Sequence, residues 1–485
     1  MKLIMSTVSR TVGRRRGAPR IEPLNPPGWR RGYRQMRSMR WLRIGMGVKR
    51  YVVGIMAGTV LVGLAIAMVL ATVYRTVDFP ESTSAAVGAV TLQWIAHPGR
   101  EIIVGTIGFC IMAGSVFLLF RSVISVVIAP GEDVAEMVYR GRLLRRGPQV
   151  VSIGGGTGQG VLLRGLKERT ANITAVVTVA DDGGSSGRLR KEFQLMPPGD
   201  LRNCLASLAD SEALMTKLLD YRFRRGDGLQ GHSLGNLLIA AMRDIAGGVE
   251  RGVEGLSEVL RIHGSVTPST ASDVHLAAEM VDGTTVIGES RIGSSRRRIH
   301  RVYLHPSRVV VNDDAVSAIL AADLIVIGPG SVYTSILPNL LVPEIAAAVR
   351  QSPAMKLFVV NVTTEPGETE SFDLLDHVQA IEDHVGPNLF DFILVNSDTA
   401  PQLPAAARNR SFVLASASHQ AQLVARGYET FTDSVISHEL PVHHDSELLA
   451  STIFQIYFAA EGQTRSPVIE LHGNLEGSTR SARTR

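Results

Sequence analysis

The sequence predicts an α/β protein: a Rossmann-like parallel sheet with helices on both faces, preceded by two transmembrane helices. Three observations carry this. Short apolar, β-branched runs (VVSIG, ITAVVTVA, LIVIG, LFVVNV, FILVNS) recur between Val150 and about Glu461. Each ends in a loop rich in Gly, Asp, Asn, Ser or Thr, with amphipathic helical stretches between. Two uncharged runs come earlier, Tyr51 to Tyr74 of 24 residues and Ile102 to Phe120 of 19. Fully apolar strands of this length suggest a parallel sheet covered on both faces. A bilayer core of about 30 Å takes about 20 apolar residues as helix.

In chain order, residues 1–50 carry 12 Arg and 2 Lys against the single acid Glu22, about +13, and read as a basic disordered arm. The whole chain is +5, which leaves −8 for the other 435 residues. The basic pI therefore belongs to the arm, and the main domain does not read as a nucleic-acid binder. Residues 51–121 hold the two spans and a short outer loop. Arg37, Arg40, Arg43, Lys49 and Arg50 precede them, and Arg121, Arg140, Arg142, Arg145 and Arg146 follow. The connecting loop has only Arg75 and Arg100 against three acids, so the positive-inside rule puts both termini and the main domain in the cytoplasm. Residues 122–149 form a juxtamembrane linker, 150–460 the α/β domain, and 461–485 a disordered tail. Two distant cysteines, Cys110 and Cys204, allow neither a disulfide framework nor a zinc site.

The chemistry sits at strand ends, where open α/β sheets bind ligands. In IGGGTGQG, Gly154, Gly155, Gly156, Thr157 and Gly158 open a helix starting near Gly158. The loop fits neither dinucleotide fingerprint nor P-loop: the third fingerprint glycine falls on Gln159, and no lysine comes before Lys167. Glycines allow close backbone approach, and a helix N-terminus favours an anion. A diphosphate or phosphosugar suits such a loop better than a triphosphate to be hydrolysed. In VADDGGSSGRLR, Asp181 and Asp182 are placed to bind hydroxyls, a magnesium ion or both, and Ser185 and Ser186 offer a second anion site. A capped turn on Asp182 is the structural alternative.

In PPGDLRN, Asp200 reads as a helix cap, with Arg202 and Asn203 in the first turn. GHSLGN sets His232, Ser233 and Asn236 at the start of an apolar helix. GPGSVYTS brings Gly330 and Ser331 to a second anion-type turn, and NVTTEPGETESFDLLDHV places Thr363, Thr364, Glu365 and Glu368 after another strand. No G-x-S-x-G, H-E-x-x-H or kinase set is present.

These motifs, in this order and spacing, resemble the gluconeogenesis factor family (YvcK, also called GlmR), related to CofD, the 2-phospho-L-lactate transferase of coenzyme F420 synthesis. The resemblance covers about Val150 to Tyr457. It implies one CofD-like cleft that binds UDP-N-acetylglucosamine, in a regulator of cell shape and cell-wall precursor supply during gluconeogenic growth. The Gly154–Gly158 loop with Asp181, Asp182, Ser185 and Ser186 would contact the nucleotide diphosphate and its neighbours. Asn203, His232 and Asn236 would line the cleft, with Gly330 and Ser331 opposite. Implied partners are the nucleotide sugar, the membrane through two spans, and an enzyme such as glucosamine-6-phosphate synthase; a homo-oligomer stays open. The alternative is a CofD-like transferase that moves a phospholactyl group from a guanosine diphosphate conjugate to a flavin-like acceptor. Asp181 and Asp182 would then be its catalytic pair, with Mg2+ as cofactor. The chain departs from the family pattern in two places. Relatives commonly read Arg-His-Asp where this chain has His443-His444-Asp445, and PAAARNRSFVL lacks the tyrosine that relatives carry there.

Overall fold

A computed structural model describes residues 134–193, 196–210, 212–399, 403 and 407–462, with isolated helical positions between 56 and 117. Residues 1–140 and 141–485 form two separate units. The basic arm, most of the first long apolar run, about half of the second and the C-terminal tail lie outside the described residues. Among the described residues no single helix is long and apolar enough to cross a membrane.

The second unit is built on a seven-stranded sheet. Its strands are β1 (Val150–Gly154), β2 (Ile173–Val177), β3 (Ser265–Pro268), β7 (Leu324–Ile327), β8 (Met355–Val359), β9 (Phe392–Asn396) and β10 (Glu429–Asp433). They lie in the order β10-β9-β8-β7-β1-β2-β3, every pair parallel. Side chains along a strand alternate between faces, and the core divides accordingly. Val151, Ile153, Val176, Ile325 and Phe358 face one cluster, and Val150, Val177, Leu324, Val326 and Leu357 the other. Both faces of the central strands are covered, which is why β1, β2 and β7 lack polar alternation.

The chain runs from β1 outward to β3, then returns to β7 beside β1 and continues to β10. The direction of winding reverses between β1 and β7, and that is where a doubly wound sheet opens a crevice. Between β3 and β7 lies an insert that sequence patterning does not reveal. It is a three-stranded antiparallel sheet of β4 (His275–Met280), β5 (Thr285–Ile287) and β6 (Ile299–His305), in the order β5-β4-β6. Its inner residues Leu276, Ala278, Val302 and Leu304 join the first core cluster. Its exposed residues interrupt the apolar run, so no long hydrophobic stretch announces it.

Candidate ligand-binding site

The loops after β1 and β7 meet at the switch point. Gly155 is extended, and a Cβ built on it would lie 2.5 Å from Thr178 Cγ2 and 2.8 Å from Asp200 Oδ2. Only glycine fits this approach. The helix begins at Gly156, two residues earlier than the sequence suggests, and runs to Leu166. The Gly154 carbonyl accepts from Asn339 Nδ2 at 2.8 Å. Gln159, which occupies the missing third glycine of the fingerprint, is fully buried. Its Nε2 donates to the carbonyls of Ser152, at 3.0 Å, and Val176, at 3.1 Å. The residue that breaks the nucleotide motif therefore ties the helix to both strands beneath it.

Opposite this loop, Gly330 donates its N–H to Asn361 Oδ1 at 2.9 Å. Ser331 caps the helical turn Val332–Ile336 by accepting from Thr334 N at 3.2 Å, and its hydroxyl donates to Glu368. Thr334 Oγ1 donates to the same carboxylate at 3.2 Å. A cavity of about 230 Å³ opens between the two loops. Gly155, Thr157, Gly158, Gly330, Ser331 and Ser335 form its loop walls, and Asn361, Thr363, Glu365, Arg410, His443 and His444 close it from beyond β8.

The electrostatics of this wall are mixed. Burial and then Glu365 push the Glu368 carboxyl up to about 7, against the Ser331 and Thr334 hydrogen bonds. Burial also raises Glu365, with Arg410 opposing. Burial and the Arg410 guanidinium lower His443. Burial and then His443 lower His444 to about 4, so it is neutral at physiological pH. Asp445 is spent on capping the helix Ser446–Ala460, accepting from Glu447 N and Leu448 N at 3.0 Å each. The departure His443-His444-Asp445 thus puts a weakly basic imidazole, His443, in the cavity wall.

The expected site residues divide into two groups. Gly155, Thr157, Gly158, Gly330 and Ser331 line the cavity, with Gly154 and Gly156 in the same loop. Asp181, Asp182, Ser185, Ser186, Asn203, His232 and Asn236 do not line it; the last five form a hydrogen-bonded network on its β2 side. Ser185 Oγ lies 3.0 Å from His232 Nδ1, and Asn236 Nδ2 donates to Ser185 Oγ at 3.2 Å and Ser186 Oγ at 3.4 Å. Arg202 donates to Ser233 Oγ, Asn236 Oδ1 and Asn203 Oδ1 at 3.0, 3.3 and 2.8 Å. Burial lowers the His232 imidazole, with Arg188 adding to the effect. These polar groups largely satisfy one another, as buried polar groups must.

Asp200 joins the two groups. It is not a cap: Pro198 holds that position before the helix Gly199–Leu208. It is buried in the first turn instead and accepts from the Gly156 N–H. Burial and then Asp181 push it up to about 7, with Gly156 and Arg202 opposing.

The two aspartates expected to hold magnesium each accept one backbone hydrogen bond. Asp181 Oδ1 accepts from Gly183 N at 2.8 Å, and Asp182 Oδ1 accepts from Ser290 N of the insert at 2.9 Å. Among the described residues no three His, Cys, Asp or Glu side chains converge to hold a metal ion. The alternative reading of Asp182 as a helix cap is replaced by this tie to the insert.

Residues 150–436 match the family described as 2-phospho-L-lactate transferase CofD. The chain belongs to the CofD-like gluconeogenesis factor family. A gluconeogenesis factor of Bacillus subtilis is 46% identical over 314 residues, 64% of this chain and 98% of the relative. One from Listeria monocytogenes is 45% identical over 255 residues, 53% of this chain and 79% of its own. The crystal structure of protein BH3568 from Bacillus halodurans superimposes with a TM-score of 0.60 at 44% identity, covering 64% of this chain and 99% of that one.

In this CofD-like domain four site-side residues are not assigned to the site by the sequence, for different reasons. Arg410 sits in an irregular segment with no periodic signal. Glu365 and Glu368 carry one, since they follow a strand end, but nothing in the sequence says that both are turned inward. Glu289 has none: it follows a three-residue strand in the insert. Burial first, then Asp200 and Asp181, push its carboxyl well up, and its Oε2 has no hydrogen-bond partner.

Proposed function

We propose that this chain is a membrane-anchored regulator that binds a nucleotide sugar of the UDP-N-acetylglucosamine type. By this reading it adjusts cell-wall precursor supply and cell shape during gluconeogenic growth, acting on an enzyme such as glucosamine-6-phosphate synthase. The observation that carries the binding claim is the meeting of two glycine-rich strand–helix turns over one cavity at the switch point. Thr157, Ser331 and Ser335 offer hydroxyls there, Gly155, Gly158 and Gly330 bring backbone close, and Arg410 supplies positive charge. Typical small-molecule pockets measure about 300–1,000 Å³. At about 230 Å³ this one encloses a diphosphate and part of an attached group, the remainder lying along its open side. The gluconeogenesis factor name of relatives at 46% and 45% identity supports the physiological part. The runs 51–74 and 102–120, with their basic flanks, support anchoring with the domain on the cytoplasmic side.

Calorimetric titration of residues 141–485 with UDP-N-acetylglucosamine and GDP tests the binding reading. Saturable binding of the UDP-sugar without turnover supports it; transfer of a phospholactyl group to a deazaflavin acceptor sinks it. Resistance of the full chain to alkaline extraction from membranes tests the anchor.

A second reading, a CofD-like transferase, is favoured by one observation. Asp200, held near 7 beside the Gly156 N–H, has the proton affinity of a general base working at neutral pH. It would take the proton of an acceptor hydroxyl as that oxygen bonds to phosphorus and the nucleotide departs.

A further inference from the structure

The helix Glu212–Leu219 shows its apolar stripe to solvent. Leu214 is 69% exposed, Leu218 45% and Tyr221 52%. The spacing of four and three residues puts them on one helical face, and the Tyr221 N–H still bonds to the Leu218 carbonyl. Leu219, on the other side, is fully buried.

A hairpin follows at once. Arg222 pairs with Ser233, Phe223 N donates to His232 O at 3.0 Å, and Gly231 N donates to Phe223 O at 2.8 Å. The rings of Tyr221 and Phe223 meet edge to face at 5.3 Å. This frame holds out Arg222, Arg224 and Arg225, all exposed, next to exposed Lys217. Asp220 is engaged by Arg202 at 3.2 Å, Arg222 Nη1 also donates to the Gly231 carbonyl at 3.1 Å, and Glu212 and Asp227 are the other acids of this helix and hairpin.

We propose that this helix and hairpin form a docking surface for an anionic lipid bilayer. An exposed apolar and aromatic stripe bordered by four cations has the composition of a surface that seats in a headgroup layer. A second copy of the chain does not fit. A twofold interface would set the four cations against themselves. The choice of lipid as partner also draws on the anchoring reading above, since two spans would hold the domain beside a bilayer.

Residues 141–485 suffice for the test. They form a compact unit that contains both core clusters, and the Bacillus subtilis relative is matched over 98% of its length. The fragment is floated at low ionic strength with vesicles of phosphatidylcholine alone or of equimolar phosphatidylcholine and phosphatidylglycerol. It should float with the anionic vesicles only. The variant Arg222→Glu, Arg224→Glu, Arg225→Glu should partition about a hundredfold less, and Leu214→Ser with Leu218→Ser should also weaken binding. An unchanged melting temperature in each variant excludes misfolding as the cause. Failure of the fragment to float on anionic vesicles, or equal flotation of the arginine variant, would overturn the proposal. Alkaline extraction of the full chain reads the anchor independently, so either idea can fail without the other.

Discussion

Gly158 and Pro329 are in direct backbone contact: a methyl group on Gly158 would sit 2.6 Å from the Pro329 carbonyl oxygen. The β1 and β7 turns are therefore pressed together by the absence of one side chain, and the cavity takes its shape from that contact. Forcing a methyl group into a packed position costs about 1–3 kcal/mol. Gly158→Ala should lower the melting temperature of the domain and abolish nucleotide-sugar binding. Gly141→Ala, where a Cβ meets nothing within 4 Å, should leave both intact. Thermal melts and calorimetry on the pair check this.

Asp200 gives the domain a pH-dependent stability. Its carboxyl, ordinarily near 3.8, is pushed up to about 7 in the fold, so folding favours the protonated form. The stability it contributes is complete below about pH 4 and is lost as pH rises through about 7. Asp200→Asn should melt at least about 2 °C above the parent at pH 8. The difference should shrink as pH falls below 7 and vanish only near pH 4, where the unfolded carboxyl is protonated too. A constant difference across that range would show that the carboxyl does not titrate there.

Ser331 holds the second turn twice, by capping Thr334 N and by donating to Glu368. Loss of a serine cap costs about 1 kcal/mol. Ser331→Ala should therefore destabilise the domain by about that amount and weaken the nucleotide sugar by about tenfold or more. Glu368→Gln keeps an acceptor for both hydroxyls and should do less harm than Glu368→Ala. Denaturant unfolding with parallel titrations separates the two effects.

The division between what was legible and what was not follows from physics. The runs VVSIG, LIVIG and FILVNS are legible because a strand buried on both faces must be apolar throughout. The turn glycines are legible because each follows such a run. The β4-β5-β6 sheet is not, since Thr285, Ile287 and Tyr303 face outward and break its pattern. The cavity wall from Asn361, Arg410 and His443 is distributed over segments up to 82 residues apart. Only the chain's path past β8 brings these together. Asp200 misleads because Asp at a helix start is usually a cap, whereas here burial against Gly155 gives the same residue a different task.

His443 should make anion binding pH-dependent. Burial and Arg410 lower its imidazole from the usual 6.5, so it is mostly neutral at pH 7. Arg410 and His444 are the basic groups of the same wall, Glu365 is its acid, and Glu368 stands behind Ser331 and Thr334. Protonation below pH 6.5 adds a positive charge to the wall and should tighten a nucleotide diphosphate. His443→Arg should bind more tightly at pH 7.5 and lose part of the pH dependence between 5.5 and 7.5, the part that remains coming from Glu368, pushed up to about 7. Titrations of parent and variant at both pH values measure it.

In the proposed reading the paired β1 and β7 turns form a diphosphate site completed by Arg410. Calorimetric titration of residues 141–485 with UDP-N-acetylglucosamine, in parent and Arg410→Ala forms, tests it most directly. Saturable submillimolar binding to the parent is expected, without turnover, and at least about tenfold weaker binding to the variant, the loss of one charge-assisted contact. No binding to a parent that melts cooperatively, or equal affinity in the two forms, would contradict it.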